Sequence, residues 1–127
     1  MRYTPTQQLT ADVLAWPGTS VRLGERGEFA FDAHGHELGH LHGDRVAHFF
    51  FNRALGAELR EAGRVGPHPV APQSPKMGAR AIETDADVDD IRAMLRLNYE
   101  HWEARAAARA QGAGGPGAQR VQALNAD

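Results

Sequence analysis

The spacing of hydrophobic positions changes rhythm along the chain. Between Thr6 and Trp16, the residues Leu9, Val13 and Trp16 recur at helical intervals, and Pro17-Gly18 ends the run. From Ser20 to Gly24 the apolar residues alternate instead, with Val21 and Leu23 on one side, and Glu25-Arg26-Gly27 reads as a turn. Alternation resumes from Glu28 to Ala33, with Phe29 and Phe31 on one face. Gly35 marks a second turn, and Glu37 to His42 is a third strand. Gly43-Asp44 has glycine first, the order a type II′ hairpin prefers, and leads into a fourth strand from Arg45 to Phe51.

The helical rhythm then returns. Asn52 is an N-cap for a helix running to Ala62, with Leu55 and Leu59 inward and Gly63 as its left-handed stop. Pro67 to Pro75 is a stiff loop, and Gly78 to Glu83 a last strand. Thr84 or Asp85 caps a long final helix whose stripe is Val88, Ile91, Leu95, Asn98/Tyr99 and Trp102. Asp85, Asp87, Asp89 and Asp90 crowd its first turns, where the helix dipole favours negative charge. Beyond about Ala106 the chain turns to Ala, Gly and Gln. These elements predict an α+β domain over residues 1–105, an antiparallel β-meander of four to five strands packed against two or three helices. Residues 106–127 form a flexible Ala/Gly-rich tail in this reading.

Composition narrows the function. The net charge of -2, from 14 basic and 16 acidic residues, argues against nucleic-acid binding, which calls for a basic face. No segment approaches the roughly 20 apolar residues of a membrane span. The N-terminal Met1 to Thr6 is not followed by the apolar run of a secretory signal. With no cysteine, disulfides, thiolate metal sites and a cysteine nucleophile are excluded, which fits a soluble, cytoplasmic protein. An exposed sheet edge would permit a homodimer.

Histidine then changes the picture, because six of the seven lie between His34 and His68. His40 and His42, two apart on a strand, project from one face. With a two-residue loop at Gly43-Asp44, His40 stands opposite Ala47 and His42 opposite Arg45. A two-residue loop at Gly35-His36 adds Phe31 and Phe29 to the same row. One face would therefore carry Phe29, Phe31, His40, His42, Arg45, Ala47, Phe49 and Phe51, with His48 pointing away. A three-residue loop at Gly43 would instead bring His48 onto the face of His40. Such a face has three readings. Imidazole, titrating near pH 6.5, could act as acid or base on a flat apolar molecule held by the aromatic wall. His-x-His spacing could offer two nitrogens to Zn, Cu or Fe, completed by His68, His48 or Glu37. Or the histidines could be hydrogen-bonded and inert. His34 and His36, at a turn, read as solvated, and His101 as a surface residue.

The string Glu37-Leu38-Gly39-His40-Leu41-His42-Gly43 resembles the E-[IL]-G-H-[LV]-H core of the luciferase-domain family, named for fungal luciferase. The similarity continues through Phe51, Arg53, Leu59, Gly63-Arg64, Pro67-His68, Pro72 and Ser74. It ends with Asp87-Val88 and Leu95-Arg96-Leu97-Asn98-Tyr99, spanning about residues 9–105. What the resemblance implies is a flavin-free, O2-dependent oxidation of a planar enol or phenol such as a hydroxypyrone, with O2 as co-substrate and no cofactor. His40 or His42 would be the base, and His68 would orient or protonate the substrate. Phe29, Phe31, Phe49, Phe51, Arg45 and Tyr99 would contact it. Two departures fall near the presumed pocket: His48 stands where aspartate is frequent, and Pro75-Lys76-Met77 replaces a Gly-Trp-aliphatic segment. The competing expectations are a metal site on His40, His42, His68 and His48, and a non-catalytic small-molecule-binding module.

Overall fold

A computed structural model describes residues 3–112. The order of elements is α1 (Pro5–Leu14), β1 (Thr19–Leu23), β2 (Phe29–Ala33), β3 (His36–His42), β4 (Val46–Phe50), α2 (Arg53–Glu61), β5 (Met77–Ala81) and α3 (Asp85–Gly112). The five strands pair antiparallel in sequence order, so the sheet is a plain meander. The α+β meander expected from the hydrophobic rhythm is therefore what forms.

Local chemistry explains most boundaries. Thr4 caps α1 in a capping box with Gln7, so the helix begins at Pro5 and ends at Leu14, short of Trp16. The Asn52 side chain accepts from the Leu55 N–H and starts α2. Thr84 and Asp87 exchange side-chain-to-backbone bonds at the start of α3. The acids behind that cap do more than face the dipole: Arg80 bridges Asp87 and Asp90, and Arg64 also pairs with Asp90. At its other end α3 continues to Gly112, past the expected tail boundary at 105, because Ala106 to Ala110 are good helix formers. The remainder of the predicted tail, 113–127, lies outside the described residues.

One face of the sheet carries the core. Leu9 and Val13 of α1, Phe31, Leu41, Ala47 and Phe49 of the sheet, and Val88, Ile91, Leu95 and Tyr99 of α3 form a continuous buried cluster. Asn98, fully buried, donates from Nδ2 to the carbonyls of Leu38 at 3.0 Å and Phe50 at 2.9 Å, tying α3 to β3 and β4. The opposite face of the sheet, which no helix covers among the described residues, holds His40, His42 and His48. No helix among the described residues is long and apolar enough to cross a membrane.

Candidate functional site

The site depends on the register of β3 against β4. His40 pairs with His48 and His42 with Val46, so the hairpin loop has three residues, Gly43, Asp44 and Arg45. The two-residue loop is thus corrected, and the three-residue alternative holds. A tertiary contact accompanies this turn: Asp44 Oδ1 accepts from the Thr6 N–H at 2.8 Å, and Thr6 Oγ1 donates to the Gly43 carbonyl at 3.0 Å. The turn therefore also serves the exposed N–H groups at the start of α1.

The one-residue slip changes which side chains share a face. His40, His42 and His48 come together, with Val46 and Phe50 beside them. Phe31, Phe49 and Phe51 do not join them; they are buried in the core. Phe29 pairs with Leu41 at the end of β2, on the Phe31 side, and is 37% exposed. Arg45 is exposed in the turn. Tyr99 is buried in the core and donates its hydroxyl to the Pro17 carbonyl at 2.6 Å. The expected aromatic wall of Phe29, Phe31, Phe49 and Phe51, with Arg45 and Tyr99, is therefore not on the histidine face. Phe50, Val46 and Met77 line that face instead.

Two irregularities in β3 complete the cluster. The ladder slips between Phe31 and Asp32, so that Glu37 faces Asp32 while Gly39 faces Phe31. Residues three apart on a regular strand point to opposite faces, and the extra residue at this bulge brings Glu37 and His40 to the same one. Gly39 is required by proximity: a Cβ there would lie 2.4 Å from the His48 carbonyl oxygen. Its lack of a side chain lets β4 approach closely enough for His40 and His48 to meet.

His68 arrives from the proline loop, and the sheet explains how. Gly66 forms an isolated bridge with Ala79, which on its other side pairs with His48. Two residues on, the His68 ring lies 4.3 Å from that of His48, centroid to centroid. Arg60 of α2 fixes the loop by donating to the carbonyls of Pro72, Ser74 and Met77. His40, His42, His48 and His68 all line one cleft of about 810 Å³, whose rim includes exposed Leu23 and Val70.

A polar chain runs into the cleft. Arg22 donates to Glu37 at 2.6 Å and to Asp32 at 2.7 Å, and the other Glu37 oxygen lies 2.7 Å from His40 Nδ1. An ionised carboxylate only accepts, so His40 carries a proton on Nδ1, and its neutral form presents the lone pair at Nε2. His48 Nδ1 lies 3.3 Å from that lone pair. Burial alone would raise the Glu37 pKa, but hydrogen bonds from His40 and Arg22 outweigh it and hold the carboxyl below its usual range. Burial, reinforced by His68, His40 and His42, lowers His48 to about 4. Burial first, then neighbouring histidines, also lowers His42 and His68. At neutral pH these three rings are uncharged.

The same rings could hold a cation. One nitrogen each from His40, His42 and His48 can be chosen within 4.8 Å of one another. Two histidine nitrogens on one tetrahedral Zn stand about 3.3–3.4 Å apart, which matches the His40–His48 separation. A carboxylate behind His40 is the usual support of a metal-bound imidazole.

The remaining histidines belong elsewhere. His34, at a positive φ of 52°, bonds Glu103 at 2.6 Å, and His36 stacks on Trp102 with centroids 3.6 Å apart. His34 is exposed despite this bond, as expected for a turn position, whereas His36 is half-buried against α3 rather than solvated; His101 packs edge-on to Trp102. Sequence reasoning overlooked Arg22, Glu28, Val46, Phe50 and Met77. Once β4 is read with His48 inward to the cleft, parity alone adds Val46 and Phe50.

The fold and site thus define a small α+β domain with a histidine-lined cleft on the open face of its sheet. A model of the luciferase domain family matches residues 35–98, about half of the chain, and the chain belongs to that family. The matched stretch runs from the β2–β3 turn to Asn98 and contains all four cleft histidines. Nothing matches among curated proteins or among solved structures.

Proposed function

We propose that this protein is an enzyme that oxidises a planar, electron-rich enol or phenol with O2 in the histidine cleft, without a flavin. The observation that carries the reading is the Arg22–Glu37–His40 chain, which ends in a cleft walled by Phe50 and three uncharged histidines. His40 is the base. It alone among the four has a carboxylate at Nδ1, which stabilises the charge the ring gains on taking a proton and holds its tautomer. His48, lowered to about 4 by burial, is a poor acceptor. In the reaction the hydroxyl proton of the substrate passes to His40 Nε2. The resulting anion gives its electrons to O2, a carbon–oxygen bond forms, and the proton returns to the distal peroxide oxygen. The sum is substrate plus O2 giving a hydroperoxide.

A second reading is favoured by the spacing of the His40, His42 and His48 nitrogens, which suits a divalent metal. In that case His40 and His48 hold the ion and cannot take a proton at the same nitrogens.

Oxygen uptake with a panel of hydroxypyrones and catechols, together with metal analysis of untagged protein, tests both. Uptake by metal-free wild type that is lost in His40→Ala supports the base. Stoichiometric metal that disappears in a His40→Ala/His42→Ala variant replaces the base with a metal centre. Equal inertness of wild type and His40→Ala across the panel removes the oxidation reading.

A further inference from the structure

We infer that His68 is a fixed N–H donor that binds an anionic or strongly polarised oxygen of the molecule in the cleft, rather than a base or a metal ligand. The inference rests on the reading of this cleft as a small-molecule site, and it holds with or without a metal on the other three histidines.

The tautomer follows from one contact. The Val70 backbone N–H donates to His68 Nδ1 at 3.1 Å, so that nitrogen offers its lone pair and carries no proton. In neutral imidazole the proton must then sit on Nε2. His68 is 4% exposed, and its Nε2 is buried with no hydrogen-bond partner among the described residues. A buried N–H without an acceptor is costly, and native structures rarely leave one. Its surroundings identify what would satisfy it. The His48 ring and Phe50 flank it at centroid distances of 4.3 and 6.2 Å, and Pro69 and Val70 line the cleft beside it.

Serving as a base or ligand through Nε2 would require the ring to lose this proton or surrender the Val70 contact. As a donor it keeps both its tautomer and the Val70 contact. The proline-flanked backbone and the Arg60 clamp on the same loop keep the ring in place, which is the preorganisation that donation to a developing oxyanion requires. Glu28 adds a complementary feature: its Oε2 is buried in the same cleft lining with no hydrogen-bond partner among the described residues. A molecule with an acceptor oxygen at one end and a hydroxyl at the other would satisfy both atoms.

The test is binding under anaerobic conditions, so that it succeeds or fails separately from the oxidation reading. 4-Nitrophenol, at a pH where it is ionised, is compared with 4-nitroanisole, which has the same ring and no ionisable oxygen. Wild type should prefer the phenolate, and His68→Met should lose about tenfold to a hundredfold in phenolate affinity, the range for one hydrogen bond to a charged group. Anisole affinity should stay unchanged in that variant, and His68→Gln, which keeps an amide N–H, should recover part of the loss. The inference is overturned if wild type shows no preference, if His68→Met keeps it, or if chelation of metal abolishes it in wild type. Nitrogen-15 NMR of the wild-type imidazoles decides independently of how the variants fold. A proton on Nε2 of His68 that moves downfield with nitrophenolate supports the inference; a proton on Nδ1 ends it.

Discussion

His48 and Phe49 are neighbours on β4, yet they belong to two different environments. Phe49 is fully buried on the face closed by α1 and α3, in a cluster of apolar side chains that Asn98 ties to the sheet through its Nδ2. His48 points to the face without a helix, among three other histidines and a cleft open to solvent. The backbone is common to both, and only strand parity separates a packing position from a chemical one. The comparison teaches that hydrophobic pattern and register contribute different things here. The first secures the core, and the second decides which histidines can act together.

Exchanging the roles should expose that division. Phe49→Ala should cost about 3–5 kcal/mol, the range for truncating a buried aromatic, read as a lower urea midpoint. His48→Ala should cost less than about 1 kcal/mol, because its one polar contact is long and its environment disfavours charge. Equal losses would mean that the cleft face is as much a packing surface as the core. Gly39→Ala strikes the seam between the faces. Its Cβ would meet the His48 carbonyl, so β4 must move, at about 1–3 kcal/mol or more, and the His40–His48 contact should open. Urea unfolding together with histidine chemical shifts would record both effects. An unshifted cluster would show that the hairpin tolerates the added methyl.

A smaller change acts on the cleft alone. Glu37→Gln keeps the shape and a hydrogen-bonding group beside His40 but removes the charge that holds its tautomer. Stability should fall by only about 1 kcal/mol, the scale of a partly exposed hydrogen-bonded ion pair, while turnover should fall by about a hundredfold or more. In the metal reading the same variant should weaken metal affinity by about 10–100-fold. If neither turnover nor metal content changes, Glu37 is a structural partner of Arg22.

These faces were unequally legible in the sequence. The meander, the Asn52 cap and the core stripe of α3 follow from periodicity and turn chemistry, which act over a few residues. The grouping of His40 with His42 also follows, since two residues on one strand share a face. What misled was the loop at Gly43. Glycine followed by aspartate fits a two-residue hairpin locally, but Asp44 also accepts from Thr6 in α1, a contact 38 residues away that no local rule contains. That single residue of slip moved His48 into the cluster and Phe49 and Phe51 out of it, while Phe29 and Phe31 left it through the bulge between Phe31 and Asp32, which pairs Ala30 with His40. The bulge in β3 was equally invisible, and with it the pairing of Glu37 with His40. His68 was indicated by family resemblance; the Gly66–Ala79 bridge is the physical reason it lies beside His48.

The finest test of the comparison is the pH dependence of stability. An unfolded histidine takes up a proton near pH 6.5, whereas folded His48 declines it until about pH 4, because burial and neighbouring histidines penalise the charge. Between those values the unfolded chain binds more protons than the folded one, so stability rises with pH and is lost as pH falls. His42 and His68, also lowered, add to the loss in the same direction. Chelated wild type should therefore show a flat melting temperature above about pH 7 and a decline from about pH 6.5 downward. His48→Gln, which cannot take up the proton, should decline less over the same window, while Phe49→Leu should start lower and follow the wild-type slope. Parallel slopes for wild type and His48→Gln would mean that the open face hydrates His48⁺ freely, and that the cleft is as wet as bulk surface.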